Sequence, residues 1–169
     1  MLVSTGALLD RKGQQFAIEA LTDLADAQLA LAGTGEDEAN LRRQAAGLKL
    51  SDRVHFLGSV GHDLLPMLLS AADAMVLPSV NEGLANAWVE ALACGTPVVI
   101  PDVGGAREVV KDASAGRIAG RNARDIAAAV RDLLASPPDQ AAVAANASGF
   151  SWETNAAQIV ELWRSACGS

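Results

Sequence analysis

The chain has 169 residues, 50% of them hydrophobic, 20% charged and 4% aromatic, with 13 Lys+Arg against 20 Asp+Glu and a net charge of −7. That length suits one domain, and the apolar content excludes a disordered chain, which cannot bury enough surface to offset its ordering entropy. No apolar run approaches the roughly 18 residues that cross a bilayer, and the acidic balance argues against a duplex-binding surface, which needs clustered cations to displace counterions.

Leu2–Thr5 reads as the edge of a first strand, and Gly6–Lys12 as the turn that leaves it. Ala17, Ala20, Leu21 and Leu24 then recur at helical spacing. Gln28–Ala32 is a buried strand closed by Gly33-Thr34-Gly35, and a charged helix follows over Glu36–Leu48. Val54–Leu57 is the next strand, with a helix from Asp63 to Ala72. Ala74–Leu77 is a fourth strand stopped by Pro78. Ser79–Asn86 is a polar turn, in which Asn86 is placed to cap a helix Ala87–Cys94 and Gly95 to stop it. Val98–Ile100 is a β-branched run of the kind covered on both faces. Gly104-Gly105 turns the chain into a short helix around Ala106–Val110, and Arg117–Ala119 adds a last strand. Ile126, Val130, Leu133 and Leu134 share one helical face, which Pro137-Pro138 interrupts. Ile159, Leu162, Trp163 and Ala166 mark a final amphipathic helix, on which Trp152 and Trp163 are expected to pack.

Strand–helix alternation with short turns predicts a parallel sheet between two helical layers, joined by right-handed crossovers. No repeat or linker divides it, so residues 1–169 form one α/β domain. Cys94 and Cys167 have neither CxxC spacing nor disulfide density, and two His with two Cys are too few for a structural zinc site. Met1–Gly6 lacks the basic stretch and long apolar core of a secretion signal, so a cytoplasmic location is expected. The negative charge also disfavours direct docking of this domain on anionic lipid.

In a doubly wound sheet, ligands bind at the carboxyl ends of the strands, where the strand order reverses. The most informative turn there is Pro78–Asn86, which carries Glu82 and leads into the helix carrying Glu90. Both carboxylates can face one crevice. Gly83 lets backbone approach a ligand, and free amides around Leu84–Ala87 can hold an anion at the positive end of the helix. Two carboxylates beside an anion site conflict unless the ligand also carries hydroxyls, from which a carboxylate accepts hydrogen bonds. A nucleotide sugar has both. Taken singly, Glu82 also reads as a solvated loop charge and Glu90 as a complement to the helix dipole.

The segment Asn81-Glu82-Gly83-Leu84 through Val89-Glu90-Ala91-Leu92-Ala93-Cys94-Gly95-Thr96-Pro97-Val98-Val99 resembles the donor-binding signature of the retaining GT-B glycosyltransferases of family 4, the glycosyl transferases group 1. Gly6-Ala7-Leu8 with Arg11-Lys12-Gly13 is similar to that family's first phosphate loop. Leu31-Ala32-Gly33-Thr34-Gly35 is similar to its second strand and turn, and Arg53–Val60 to its third. Ala72–Ser79 leads into the E-x7-E element, and Asp102–Val110 follows it. E-x7-E alone is a weak signal, whereas these elements in this order are specific, and they span nearly the whole chain.

The resemblance implies a Rossmann-like, doubly wound parallel sheet that is the C-terminal, donor-binding half of a two-domain enzyme. The N-terminal acceptor domain would be its partner, against which Trp152 and Trp163 would pack if they do not pack within this domain, and through it the full enzyme could sit peripherally at the inner face of a membrane. It further implies transfer of a hexose from a nucleotide-diphospho-sugar in glycan, glycolipid or cell-envelope polysaccharide synthesis. Lys12, neutralising the diphosphate, and Glu82, holding the transferred sugar's hydroxyls, would be the catalytic pair. Glu90 would hold the ribose, and backbone around Val60 would read the base. Gly6, Gly83, Leu84, Ala85 and Asn86 would meet sugar and phosphates through their backbone. No cofactor and no metal are expected, since Lys12 and helix amides take the cation's role, and the sequence has no Asp-x-Asp pair.

Ala7 departs from the family pattern, which places Arg after the loop glycine, so a cation that would touch the diphosphate is absent. Arg11 is the nearest substitute in sequence. That departure supports the alternative of a nucleotide-binding or interaction module that kept the fold and lost transfer. A sugar epimerase or phosphorylase of the same build is a weaker rival, lacking the expected histidines or cofactor lysine. The remaining residues read as structural: His55 within a strand, His62 before a helix, Gly104-Gly105 as a tight turn, Glu108 as a helix charge and Cys94 as core.

Overall fold

The structure is a computed structural model that describes residues 1–168, with only the backbone of Trp152. Six strands, β1 (Leu2–Thr5), β2 (Leu29–Ala32), β3 (Val54–Gly58), β4 (Ala74–Val76), β5 (Val98–Ile100) and β6 (Gly116–Ile118), pair in parallel in the order β3-β2-β1-β4-β5-β6. The order reverses at β1, which registers with β2 on one side (Val3 with Ala30) and β4 on the other (Val3 with Met75). A crevice therefore opens between the loops that follow β1 and β4.

Eight helices connect and flank the strands: α1 (Gln14–Ala20), α2 (Glu38–Gly47), α3 (Leu65–Ser70), α4 (Asn86–Ala93), α5 (Ala106–Val109), α6 (Ala123–Ala135), α7 (Gln140–Ala145) and α8 (Trp152–Cys167). Strands β2, β4 and β5 are unbroken apolar runs because both faces are covered, whereas the edge strand β3 exposes His55 and Leu57. Leu2, Leu29, Leu31, Val76 and Val99 join Ile18, Leu21, Leu41, Ile126, Val130 and Leu133 in one core cluster. Val3, Ala30, Met75, Leu77, Val98 and Ile100 join Leu69, Trp88, Leu92 and Val143 in the other. Strands β1, β2, β4 and β5 thus supply alternate residues to two cores, one on the α1, α2 and α6 side and one on the α3, α4 and α7 side.

Several sequence expectations shift. Helix α4 begins at Asn86, not after it: Ala85 is the N-cap, in extended conformation with no side-chain cap bond. The bend that carries Ala85 into the core, where it is 8% exposed, sets the helix start one residue early. Leu134 is exposed, and Ala127 completes the buried face of α6. Helix α7 was not legible because it is short and Ala-rich, with Val143 its one buried residue. Asp139 caps it, accepting from the amides of Ala141 and Ala142 at 2.9 and 3.1 Å. Trp163 does not pack within this domain: it is 66% exposed on α8, and the side chain of Trp152 lies outside the described residues. No helix among the described residues is long and apolar enough to cross a membrane.

Leu31 is fully buried at the sheet centre, whereas Leu162 is 71% exposed on α8. Leu31→Ala is expected to cost about 2–5 kcal/mol in urea-induced unfolding. Leu162→Ala should stay within about 0.5 kcal/mol of the parent chain.

Candidate functional site

The loops at the carboxyl ends of the strands are bound to one another through their backbones. After β1, Gly6 N donates to Ala32 O at 3.0 Å and Leu8 N to Thr34 O at 3.0 Å, which ties the first loop to the β2 turn. Val80 N donates to Arg11 O at 2.8 Å, which ties the same loop to the turn after β4. Gly105 N donates to Gly83 O at 2.7 Å, which joins that turn to the one after β5.

Close approaches between these loops admit only glycine, at Gly33 and Gly35 against the first loop as well as at Gly13 and Gly104. Gly13 (φ +76°) lies so close to Pro78 that a β-carbon would overlap its carbonyl oxygen. At Gly104 (φ +50°) a β-carbon would overlap the carbonyl oxygen of Glu82 and crowd that of Gly83. Gly104-Gly105 is therefore more than the tight turn its sequence suggests. Its backbone is the surface on which the Glu82 turn rests, in a left-handed conformation that other residues adopt only with strain.

Two groups of side chains stand on this scaffold. In the first, Lys12 Nζ lies 2.5 Å from Glu82 Oε1, with the two side chains 15% and 11% exposed. Lys12 is positioned by a 3-10 turn, Asp10–Lys12, at the end of the turn expected over Gly6–Lys12. The second group lines a cavity of about 220 Å3 formed by Thr5, Gly6, Ala32, Gly33, Ser59, Val60, Leu65, Ala87 and Glu90. Gly6, Val60 and Glu90, singled out from the sequence, therefore meet in one wall. Glu82 stands with Lys12, outside this wall, so the two glutamates occupy two neighbouring places and not one shared lining. Gly83, Leu84 and Asn86 are exposed beside them, and Ala85 is buried. No backbone carbonyl among the described residues accepts from the amides of Leu84 or Ala85, and the first amides of α4 lack intrahelical partners as at any helix start.

Thr5 was missed by the sequence reading. It lines the cavity at the end of β1, and its hydroxyl is buried without a partner, as is that of Ser79 after β4. The available signal is the polar pair Ser4-Thr5 that ends a buried strand. Gly33 also lines the cavity, a place the incomplete Gly33-Thr34-Gly35 pattern did not reveal.

The other candidates are structural. His55 pairs with the Gln28 side chain at 2.8 Å on the sheet's edge strand, and His62 is exposed in the turn before α3. Glu108 is exposed on α5. Beside Ala7, Arg11 is exposed, and its side chain makes no hydrogen bond or ion pair among the described residues. The Cys94 thiol is pushed above its ordinary range, mainly by burial; a hydrogen bond with Ser70 acts against this, and the charge of Glu90 adds to it. A thiol held protonated is a poor nucleophile. Among the described residues, no group of three or more His, Cys, Asp or Glu is arranged around a metal-sized space.

The family profile described as "Glycosyl transferases group 1" matches residues 1–150. Over 137 residues the chain is 42% identical to a D-inositol 3-phosphate glycosyltransferase of Geodermatophilus obscurus, covering 79% of this chain and 30% of that protein. It is 34% identical to a GDP-mannose-dependent alpha-(1-6)-phosphatidylinositol monomannoside mannosyltransferase of Mycolicibacterium smegmatis, covering 96% and 47%. Among solved structures, sucrose-phosphate synthase from Thermosynechococcus elongatus superposes with a TM-score of 0.84 at 30% identity, over 98% of this chain and 45% of that one. Anabaena HepE in complex with UDP superposes with a TM-score of 0.83 at 28% identity, over 97% and 48%. The chain spans less than half the length of these relatives.

Gly104→Ala is expected to destabilise the chain by about 1–3 kcal/mol through strain and displacement of the Glu82 turn. Gly83→Ala, where a β-carbon meets open space, should change stability by less than about 1 kcal/mol; thermal or urea unfolding reads both. In a thiol-labelling time course at neutral pH, exposed Cys167 should react before half-buried Cys94. The Cys94 rate should climb as pH rises into the alkaline range where its thiolate forms.

Proposed function

The chain belongs to the glycosyl transferases group 1 family, and from that premise we propose that it is the nucleotide-sugar-binding half of a glycosyltransferase whose acceptor domain lies outside this sequence. The observation that carries the reading is the juxtaposition at the sheet's switch point. A cavity walled by Gly6, Val60 and Glu90 opens next to the Lys12–Glu82 pair and the unpaired amides that lead into α4.

The chemistry follows from that layout. At about 220 Å3 the cavity is smaller than the roughly 300–1,000 Å3 of a complete small-molecule site. It suits a nucleoside, with the base against the backbone around Val60 and the ribose hydroxyls donating to Glu90. The diphosphate would then run past Gly6 to the amides of Leu84 and Ala85, with Lys12 as its cation. Glu82, freed from Lys12 as the phosphates take that charge, would accept hydrogen bonds from the transferred hexose. Charge building on the leaving phosphate would meet a preorganised ammonium and peptide dipoles, so the proposed transfer calls on no metal and no cofactor. Retention of configuration is part of the proposal and rests on the family resemblance. HepE, whose structures hold UDP and UDP-glucose, supports a donor of this class.

The helix α8 supports a missing second domain. Ile159, Leu162 and Trp163 are 61, 71 and 66% exposed on it, an apolar stripe of the kind that is covered in an assembled protein. Under this reading the opposite wall of the cleft, and the acceptor, belong to that domain, and the chain alone binds donor without appreciable transfer. Ala7, which leaves the first loop short of a cation, favours a second reading, a nucleotide-binding module without transfer activity. An active enzyme on restoring the second domain separates the two.

Calorimetry of the chain with nucleosides and nucleoside diphosphates tests the layout. Lys12→Ala should weaken UDP or GDP by about 1.5–3 kcal/mol, on the order of 10–100-fold, and leave uridine or guanosine unchanged. Glu90→Gln should weaken nucleoside and diphosphate alike. Equal binding of UDP or GDP by the parent and both variants would overturn the assignment.

A further inference from the structure

Arg121 lies in the loop between β6 and α6, far in sequence from every motif discussed above. Its half-buried guanidinium reaches across the carboxyl edge of the sheet. Nε donates to Pro78 O at 2.9 Å and Nη2 to Asp10 O at 3.2 Å, while its plane sits 4.9 Å from the ring centre of Phe16. Asp10 opens the turn that ends in Lys12, and Pro78 opens the turn that leads to Glu82. One planar fork thus holds the bases of the two loops whose tips meet as the Lys12–Glu82 pair.

We infer that Arg121 is a positioning residue, which sets the separation of Lys12 and Glu82 by clamping the loops after β1 and β4 to each other, with Phe16 as its backstop. The inference rests on the reading of Lys12 and Glu82 as donor-binding groups. The chemistry favours Arg over Lys here. Two donors at fixed spacing in one plane can bond two carbonyls while the face of that plane stacks on an aromatic ring, whereas an ammonium offers a single point of charge. The clamp has particular weight in this chain. With Ala7 in the first loop and Arg11 exposed, Lys12 is the loop's one cation held by an ion pair among the described residues, and its placement depends on the backbone beneath it.

The test measures the clamp and the ligand site separately. Lys12, Lys49 and Lys111 are the chain's three lysines, so acetylation by an activated ester, followed by mass spectrometry, reports Lys12 against two internal controls. Arg121→Ala should raise the Lys12 rate several-fold, leave Lys49 and Lys111 unchanged, and weaken UDP or GDP about tenfold without altering uridine or guanosine. Arg121→Lys, which keeps the charge and loses the fork, should recover only a fraction of either effect. Should Arg121→Ala fail to fold, Arg121→Lys and Phe16→Leu carry the same comparison. If the parent chain binds neither diphosphate, the donor-site reading fails while Lys12 reactivity still judges the clamp. A cooperatively folded variant whose Lys12 reacts at the parent rate overturns the inference, as does full recovery by Arg121→Lys.

Discussion

Backbone-to-backbone contact between loops far apart in sequence is the constraint on which this molecule's candidate chemistry depends. A parallel sheet delivers the carboxyl ends of all its strands to one edge, but it does not by itself hold the emerging loops at fixed distances. Here they are laced by main-chain hydrogen bonds from Val80 to Arg11, Gly105 to Gly83 and Leu8 to Thr34. At Gly13 and Gly104 the approach is so close that no side chain fits. Because the bonding groups are peptides, the scaffold tolerates wide variation in side chains around it, and the few functional side chains inherit its rigidity.

The electrostatics of the edge follow from the same arrangement. A chain with a net charge of −7 offers little long-range attraction to an anionic ligand, so attraction must be local. The local donors at this edge are Lys12, paired with Glu82, and the amides ahead of α4. The ion pair is mostly shielded from solvent, where removing one partner alone would leave an uncompensated charge. Under the proposed function a diphosphate bearing a sugar would resolve that difficulty, because it would present negative oxygens to the ammonium and hydroxyls to the carboxylate at the same time. A simple phosphate would leave Glu82 facing an anion.

The shared fold with proteins roughly twice as long places these features in context. Sucrose-phosphate synthase and HepE superpose on nearly all of this chain with less than half of their own length, so the sheet and its loops are a unit that recurs intact. The cavity beside Glu90 is shallow for a whole donor, and the apolar stripe of α8 lies open. Under the proposed function, both features fit a cleft whose other wall belongs to a second domain.

Much of this was legible in the residues. Strand positions and the α/β class, a parallel sheet between two helical layers, followed from apolar runs alternating with helical periods, since burial on both faces leaves that signature regardless of tertiary detail. Glu82 and Glu90 stood out because carboxylate, glycine and amide-rich turns fall at strand ends, where ligands bind, whereas Lys12 stood out through the family resemblance of its loop. Helix α7, the exposure of Leu134 and Trp163, and the start of α4 were not legible, because short Ala-rich segments and helix ends are settled by what they pack against. The partition of the site into a Lys12–Glu82 pair and a separate Glu90 cavity, the support that Gly104 gives Glu82, and the reach of Arg121 to Pro78 and Asp10 were decided only by the tertiary structure. Local sequence carries the periodicities and turn chemistry that make each element, whereas distances between loops depend on strand order and crossover packing, which join residues that no local pattern links.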